Sequence, residues 1–185
     1  MREPLKLVSS ANPGSEDARA LARVAGGDLG ALGALYDRHA RALLAFASRA
    51  VGSNEAEDVV QSTFIRAAKA ASSYDGRAAS ARSWLFGIAA RLVQERRRSF
   101  ARFARALSRF DLSASSPPEA EDQSDMKKAL LRLSEAKRVV LLLAEVEGFT
   151  CEEIATMLGV PIGTVWTRLH HARRDMRAFY EETSR

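Results

Sequence analysis

Three runs of this 185-residue chain set side chains capable of chemistry at helical spacing. The first is Trp84, Gly87, Arg91, Gln94 and Arg98, beside an apolar stripe of Leu85, Ile88, Ala89 and Leu92. An aromatic ring followed by guanidiniums suits single-stranded nucleic acid, because the ring stacks a base while the cations follow the backbone. A half-buried Trp next to Arg96, Arg97 and Arg98, a cluster that the helix dipole favours, makes the same pattern with no ligand. The second run is Val165, Leu169, Ala172 and Met176, with Gly163, Thr167, His170, His171 and Arg174 opposite at about 100° per residue. Arg168, Arg173 and Arg177 flank it, as phosphate contacts of a groove-reading helix would. Trp166 lies about a quarter turn from the apolar stripe, and two readings stand: packing over the rim of the preceding helix, or contact with a sugar or a thymine methyl. In the third run, Asp58, Ser62, Ile65 and Lys69, with Gln61 beside them, lie opposite Val60, Phe64, Ala67, Ala68 and Ala71. That outward Ile suits a protein-docking face, although single exposed apolar residues are common.

Other chemistry is excluded at this level. No nucleophile–base pair or carboxylate dyad stands out, so no enzyme and no catalytic residue is expected. No Gly-rich phosphate loop is present, and no cofactor is expected. Three His and one Cys are too few, at their spacings, for a zinc site. His170 and His171 are adjacent and cannot share a metal as residues one turn apart do. The lone Cys151 excludes an intramolecular disulfide and fits a reducing cytoplasm. Met1 to Pro13 lacks an apolar secretory core, and no run approaches the roughly 18 apolar residues of a membrane span. The net charge of +5 admits an acidic partner without requiring one.

The elements that hold these runs are helical. Ala, Leu, Arg and Glu dominate, apolar residues recur at three and four, and strand patterns are nearly absent. The periodicity predicts an all-α chain with helices over 16–25, 28–51, 54–72, 80–98 or somewhat beyond, 125–132, 135–146, 151–158 and 162–181. Asn54 with Glu57, and Thr150 with Glu153, have capping-box spacing. Gly159 and Pro161 punctuate two helices, the first directing Ile154, Ala155 and Leu158 inward, which is the grammar of a helix-turn-helix. Residues 113–124 are rich in Ser, Pro and acids and read as part of a flexible linker. The expected organisation is a disordered tail over 1–14, one helical domain over 15–98, a linker over 99–124, and a helix-turn-helix domain over 125–185.

The motifs AEDVVQ, SWLFGIA and EGFTCEEIA, followed by LGVPIGTV and RLHHAR in this order, resemble those of bacterial RNA polymerase sigma factors of the extracytoplasmic-function group. The resemblance covers roughly 28–98 and 125–180. It implies a factor that binds core RNA polymerase through its β′ and β subunits and directs promoter recognition, melting and initiation. It assigns Asp58 and Gln61, with Ser62 and Ile65, to the polymerase face. It assigns the loop from Tyr74 to Ser83, including Asp75, Arg77 and Arg82, to capture of a flipped −10 base. Trp84, Arg91, Gln94 and Arg98 then follow the melted strand. Gly163, Thr164, Trp166, Thr167, Arg168, His170, His171, Arg173 and Arg174 fall in the −35 reading helix. The resemblance also implies an anti-sigma protein, and the linker corresponds to the segment that threads toward the RNA path. Two positions depart from the family pattern: Arg91 stands where Asn is usual, and Trp166 where Lys is usual.

Two other classes fit parts of the pattern. A self-sufficient helix-turn-helix regulator would bind duplex DNA as a symmetric dimer. A helical adaptor would touch no nucleic acid. The stripe of Trp84, Arg91 and Arg98 favours the sigma reading over both.

Overall fold

The computed structural model describes residues 13–107 and 124–183, and these form helices and turns without a strand. The elements are α1 (Pro13–Ala25), α2 (Ala31–Val51), α3 (Ser53–Ala70), α4 (Ala81–Leu107), α5 (Asp125–Arg132), α6 (Glu135–Leu141), α7 (Cys151–Leu158) and α8 (Ile162–Thr183). A 3₁₀ turn, Ala71–Ser73, closes α3, and a π turn, Leu142–Val146, extends α6. The expected all-α class holds among these residues. The expected tail and most of the expected linker lie outside them, while α4 continues through the first nine residues of the segment read as linker.

Local chemistry accounts for most boundaries. Thr150 caps α7 as its spacing predicts: Glu153 N donates to Thr150 Oγ1 at 3.2 Å, and Thr150 N donates to Glu153 Oε2 at 2.9 Å. Gly159 ends α7 at φ 64°, a left-handed conformation that a side chain would strain. The other predicted capping box does not form. Helix α3 starts at Ser53 with no side-chain cap, because Gly52 at φ 99° turns the chain one residue early. Ser80 opens α4 instead, accepting from Ser83 N at 3.0 Å.

Helices α1 to α4 bury Leu21, Leu35, Leu43, Phe46, Val59, Phe64, Leu85 and Val93 between them. Asp17 anchors α1, its Oδ1 in an ion pair with Arg38 Nε and its Oδ2 hydrogen-bonded to His39 Nε2, each at 2.7 Å. Helices α5 to α8 bury Val139, Leu142, Leu143, Ile154, Val165, Leu169 and Ala172. The two sets join into one continuous apolar cluster. Phe86 is the hinge of that continuity, its ring centroid 5.6 Å from Phe46 and 5.3 Å from Phe149. Arg138 crosses the boundary almost fully buried, donating to Ala50 O at 2.7 Å as well as to Leu133 O at 3.1 Å. Those carbonyls partner its two Nη groups, as burial of a guanidinium demands.

Candidate nucleic-acid interface

The predicted α4 stripe is built, but it is partly covered. Trp84 is half-buried, its ring centroid 5.4 Å from Tyr74, and Arg91 is exposed four residues past a buried Gly87. Arg91 Nε donates to Gly87 O at 3.1 Å, so its guanidinium lies back along its own helix. Gln94 is half-buried, and Arg98 lies on α4 beyond the residues whose side chains are described. The loop preceding α4 folds on itself. Asp75 Oδ1 accepts from Arg77 N at 2.9 Å, and the Tyr74 hydroxyl donates to Ala79 O at 3.1 Å. Burial raises the Tyr74 hydroxyl above the usual phenol range, with Asp17 and Asp75 adding to the shift.

A crevice of about 580 Å³ runs along this stripe. One wall is Tyr74, Arg77, Trp84, Gly87 and Arg91; the other is Glu152, Glu153, Thr156 and Met157 of α7. Met157 closes its floor. A Cβ added at Gly87 would lie 3.5 Å from Met157 Cα, an ordinary contact distance, which shows how closely the α7 backbone approaches α4 here. Sequence periodicity directs Ile154, Ala155 and Leu158 inward. Ile154 is buried, Ala155 and Leu158 are half-buried, and Met157 is buried because α4 meets a second side of α7.

Arg82, which the resemblance places against DNA, is engaged within the chain. Its Nη2 donates to Glu147 Oε2 at 2.8 Å and to Glu147 O at 3.1 Å. Its guanidinium carbon sits 4.4 Å from the Phe149 centroid and 4.9 Å from the Phe86 centroid. Burial pushes the Glu147 carboxyl above its ordinary range, against the pull of Arg82 and Arg49. Glu147, Met157 and Arg138 carry this contact between the halves, and none stood out by spacing. The acids gathered before α7 were the one available signal.

Helix α8 is open. Val165, Leu169 and Ala172 are buried and Met176 is half-buried, as the stripe predicts. Gly163, Trp166, Thr167, His170, Arg173 and Arg174 are exposed, while Thr164, Arg168 and His171 are half-buried. Trp166 is 57% exposed, so most of its ring lies outside any packing over the rim of α7. Thr167 Oγ1 donates to Gly163 O at 2.9 Å. The neighbouring imidazoles approach edge-on at 5.8 Å between centroids. Arg173 is held by Glu145 of the π turn, with Nε donating at 2.8 Å. Asp175 lies below the usual carboxylate range because Lys137 donates to it at 2.6 Å, with Arg174 adding to the effect. No group of three His, Cys, Asp or Glu among the described residues is placed to hold a metal.

On α3, Asp58, Gln61 and Ile65 are exposed and Ser62 is half-buried. Arg96 Nη1 reaches Asp58 Oδ2 at 3.6 Å, and Ile65 is 48% exposed. Tyr36 adds an exposed ring on α2, packed 4.9 Å from Phe64 between centroids.

Comparison with known proteins assigns both halves. Residues 35–103 match the Sigma-70 region 2 family, and residues 124–176 match Sigma-70 region 4. The chain is 38% identical over 173 residues to the ECF RNA polymerase sigma factor SigL of Mycobacterium tuberculosis H37Rv, covering 88% of this chain and 97% of that protein. It is 30% identical over 167 residues to the ECF RNA polymerase sigma-E factor of Escherichia coli K12, covering 82% and 87%. Among solved structures it is similar to CnrH in complex with the cytosolic domain of CnrY, with a TM-score of 0.65, 29% identity, and coverage of 90% and 98%. It is also similar to the sigma factor RpoE in complex with the anti-sigma factor NepR from Bartonella quintana, with a TM-score of 0.62, 28% identity, and coverage of 76% and 91%.

Proposed function

The chain belongs to the ECF RNA polymerase sigma factors, and on that premise we propose how its faces divide the work of transcription initiation. The protein binds core RNA polymerase and directs it to promoters, where it supports recognition, melting and the start of transcription. Asp58, Gln61, Ser62 and Ile65 form the polymerase-docking face. Tyr74, Asp75, Arg77, Arg82, Trp84, Arg91, Gln94 and Arg98 take the −10 strand. Thr164, Trp166, Thr167, His170, His171, Arg174 and the open backbone at Gly163 read the −35 duplex, with Arg168 and Arg173 on its phosphates. Residues 15–98 act as the core-binding and melting domain and 125–185 as the −35 domain, with 1–14 as a tail and 99–124 as the connection.

One observation carries this division. The exposed basic side of α8 lies in the segment matching region 4, while the Trp84 stripe lies in the segment matching region 2. Duplex contact and strand capture therefore fall to different helices. Melting by this route needs no ATP, because stacking on Trp84 stabilises a base that has left its duplex neighbours. The chain acts as a specificity subunit and not as an enzyme by itself. No helix among the described residues is long and apolar enough to cross a membrane, and the site of action is the cytoplasm. The two similar structures are complexes with CnrY and NepR, which supports an anti-sigma partner here as well.

Run-off transcription with purified core polymerase tests the reading, with Asp58→Ala combined with Gln61→Ala as the informative variant. Both side chains are exposed, so stability should move by no more than about 0.5 kcal/mol. Transcript yield and core affinity should fall together. Undiminished core affinity in a titration would remove the docking assignment, and no promoter-directed transcript from the wild type would remove the function.

A further inference from the structure

We propose that Trp166 selects thymine in the −35 element by apolar contact between its indole face and the thymine 5-methyl group; this rests on the reading of α8 as the −35 helix. A tryptophan normally hides most of its ring, yet Trp166 is 57% exposed at the start of a helix whose core is Val165, Leu169 and Ala172. Among the described residues none of the aromatic or cation–π contacts involves it. Its surroundings are polar and basic: Thr167, His170, Arg173, Arg174 and Arg177 are all exposed along the same helix. Such a surface suits a polyanion better than an apolar protein groove.

Two neighbours narrow the chemistry. Gly163 precedes Trp166 by one turn, and a Cβ built there meets nothing within 4 Å. The helix surface at Gly163, one turn before Trp166, is therefore open to an incoming base edge. Thr167 is exposed and donates its hydroxyl to Gly163 O at 2.9 Å, so that hydrogen is not available to a base and the side chain has a methyl left to offer. Trp166 and Thr167 together present an apolar step on an otherwise charged helix. In the major groove thymine alone offers a methyl, at C5, and apolar side chains read it by contact.

The test uses the full chain assembled with core polymerase and promoters recovered from a randomised −35 selection. Each thymine of the −35 element is replaced in turn by deoxyuridine, which removes one methyl and leaves every hydrogen-bonding group. Wild-type holoenzyme should lose about fourfold in affinity at one position, the scale of one buried methyl. Trp166→Ala should bind the thymine and uracil promoters alike, and Trp166→Phe should restore part of the preference. Because the indole is exposed, unchanged thermal melting is expected in both variants. The proposal is overturned if wild type ignores deoxyuridine everywhere, if Trp166→Ala keeps the methyl effect, or if the selected element holds no thymine. It is also overturned if the exposed variants melt early, which would return Trp166 to packing. Loss of all −35 dependence in wild type would instead overturn the reading of α8 itself.

Discussion

Helices α4 and α8 share a piece of grammar. Each sets a tryptophan seven residues ahead of an arginine, Trp84 with Arg91 and Trp166 with Arg173, on the flank of an apolar stripe. Their fates differ. Trp84 is half-buried beside Tyr74, in a crevice whose far wall is α7. Trp166 is 57% exposed, and none of the aromatic or cation–π contacts among the described residues involves it. The difference teaches that a binding stripe is only as available as its neighbours permit. In this conformation the outer side of α8 is exposed, whereas the Trp84 stripe of α4 is shared with the other half of the chain. Under the proposed roles, α7 must move away from α4 before a melted strand can lie along it.

The contact that covers α4 is a mixed one. Phe86, Phe149 and Met157 bury apolar surface, while Arg82 and Glu147 pair across the boundary. Glu147 is costly to hold charged, since burial raises its carboxyl above the ordinary range. A raised pKa in the packed state means that its stabilising contribution is complete below the ordinary carboxylate range and is lost as pH rises through the raised value. Holding this side chain as a carboxylate therefore carries a burial cost, which suits a contact that must open.

The largest effect should come from reversing that charge. Glu147→Arg faces Arg82 and Arg49 with a like charge, and should weaken the contact by about 2 kcal/mol. That is less than a fully buried pair would lose, because the Arg82 side chain is 39% exposed. In a Trp166→Phe background, acrylamide quenching of Trp84 fluorescence should rise, and the radius of gyration should increase. If neither moves, α7 does not cover α4 in solution and the contrast between the helices collapses.

The next effect belongs to Trp84. Trp84→Ala removes one base stack, worth about 1–3 kcal/mol, and should impair open-complex formation while core binding stays near wild type. Permanganate reactivity of promoter thymines reads this directly. Normal reactivity would show that α4 does not stack the strand, and loss of helical circular dichroism would show that its ring serves packing instead.

The smallest effect is expected on α8. Arg174 is exposed and meets only the adjacent Asp175, at 3.2 Å, among the interactions described for it. The helical phase puts it with Thr167 and His170 in the groove, so Arg174→Ala should relax preference at one base pair by about 1–3 kcal/mol. Arg168→Ala, from the flank, should lower the salt slope by about one counterion and leave preference unchanged. A −35 selection run at two salt concentrations separates them, and identical behaviour of the two variants would mean that the phase of α8 is misassigned.

Much of this was legible before any coordinates. The ranges of α5 and α7 agree with the periodicity, the Thr150 cap forms as spaced, and Val165, Leu169 and Ala172 turn inward. These are local properties, set by side chains three or four residues apart and by one cap. The Asn54 box failed for a reason of the same kind, because Gly52 turns the chain first. The three candidate faces were also readable as stripes, since a stripe needs only helical phase.

What the amino-acid order by itself determined, then, is the set of helices, their inward sides and the side chains offered outward. Tertiary structure alone decided which offers stand open. Arg138 finds Ala50 O across 88 residues, Arg82 reaches from the first turn of α4 to Glu147 across 65, and Met157 seats against Gly87. No periodicity encodes such partners, because burial of one helix face depends on what another helix, distant in sequence, brings to it. Trp84 and Trp166 show the consequence: the same residue at an equivalent angle to its apolar stripe is half-buried in one place and 57% exposed in the other, because α7 packs on α4 beside Trp84.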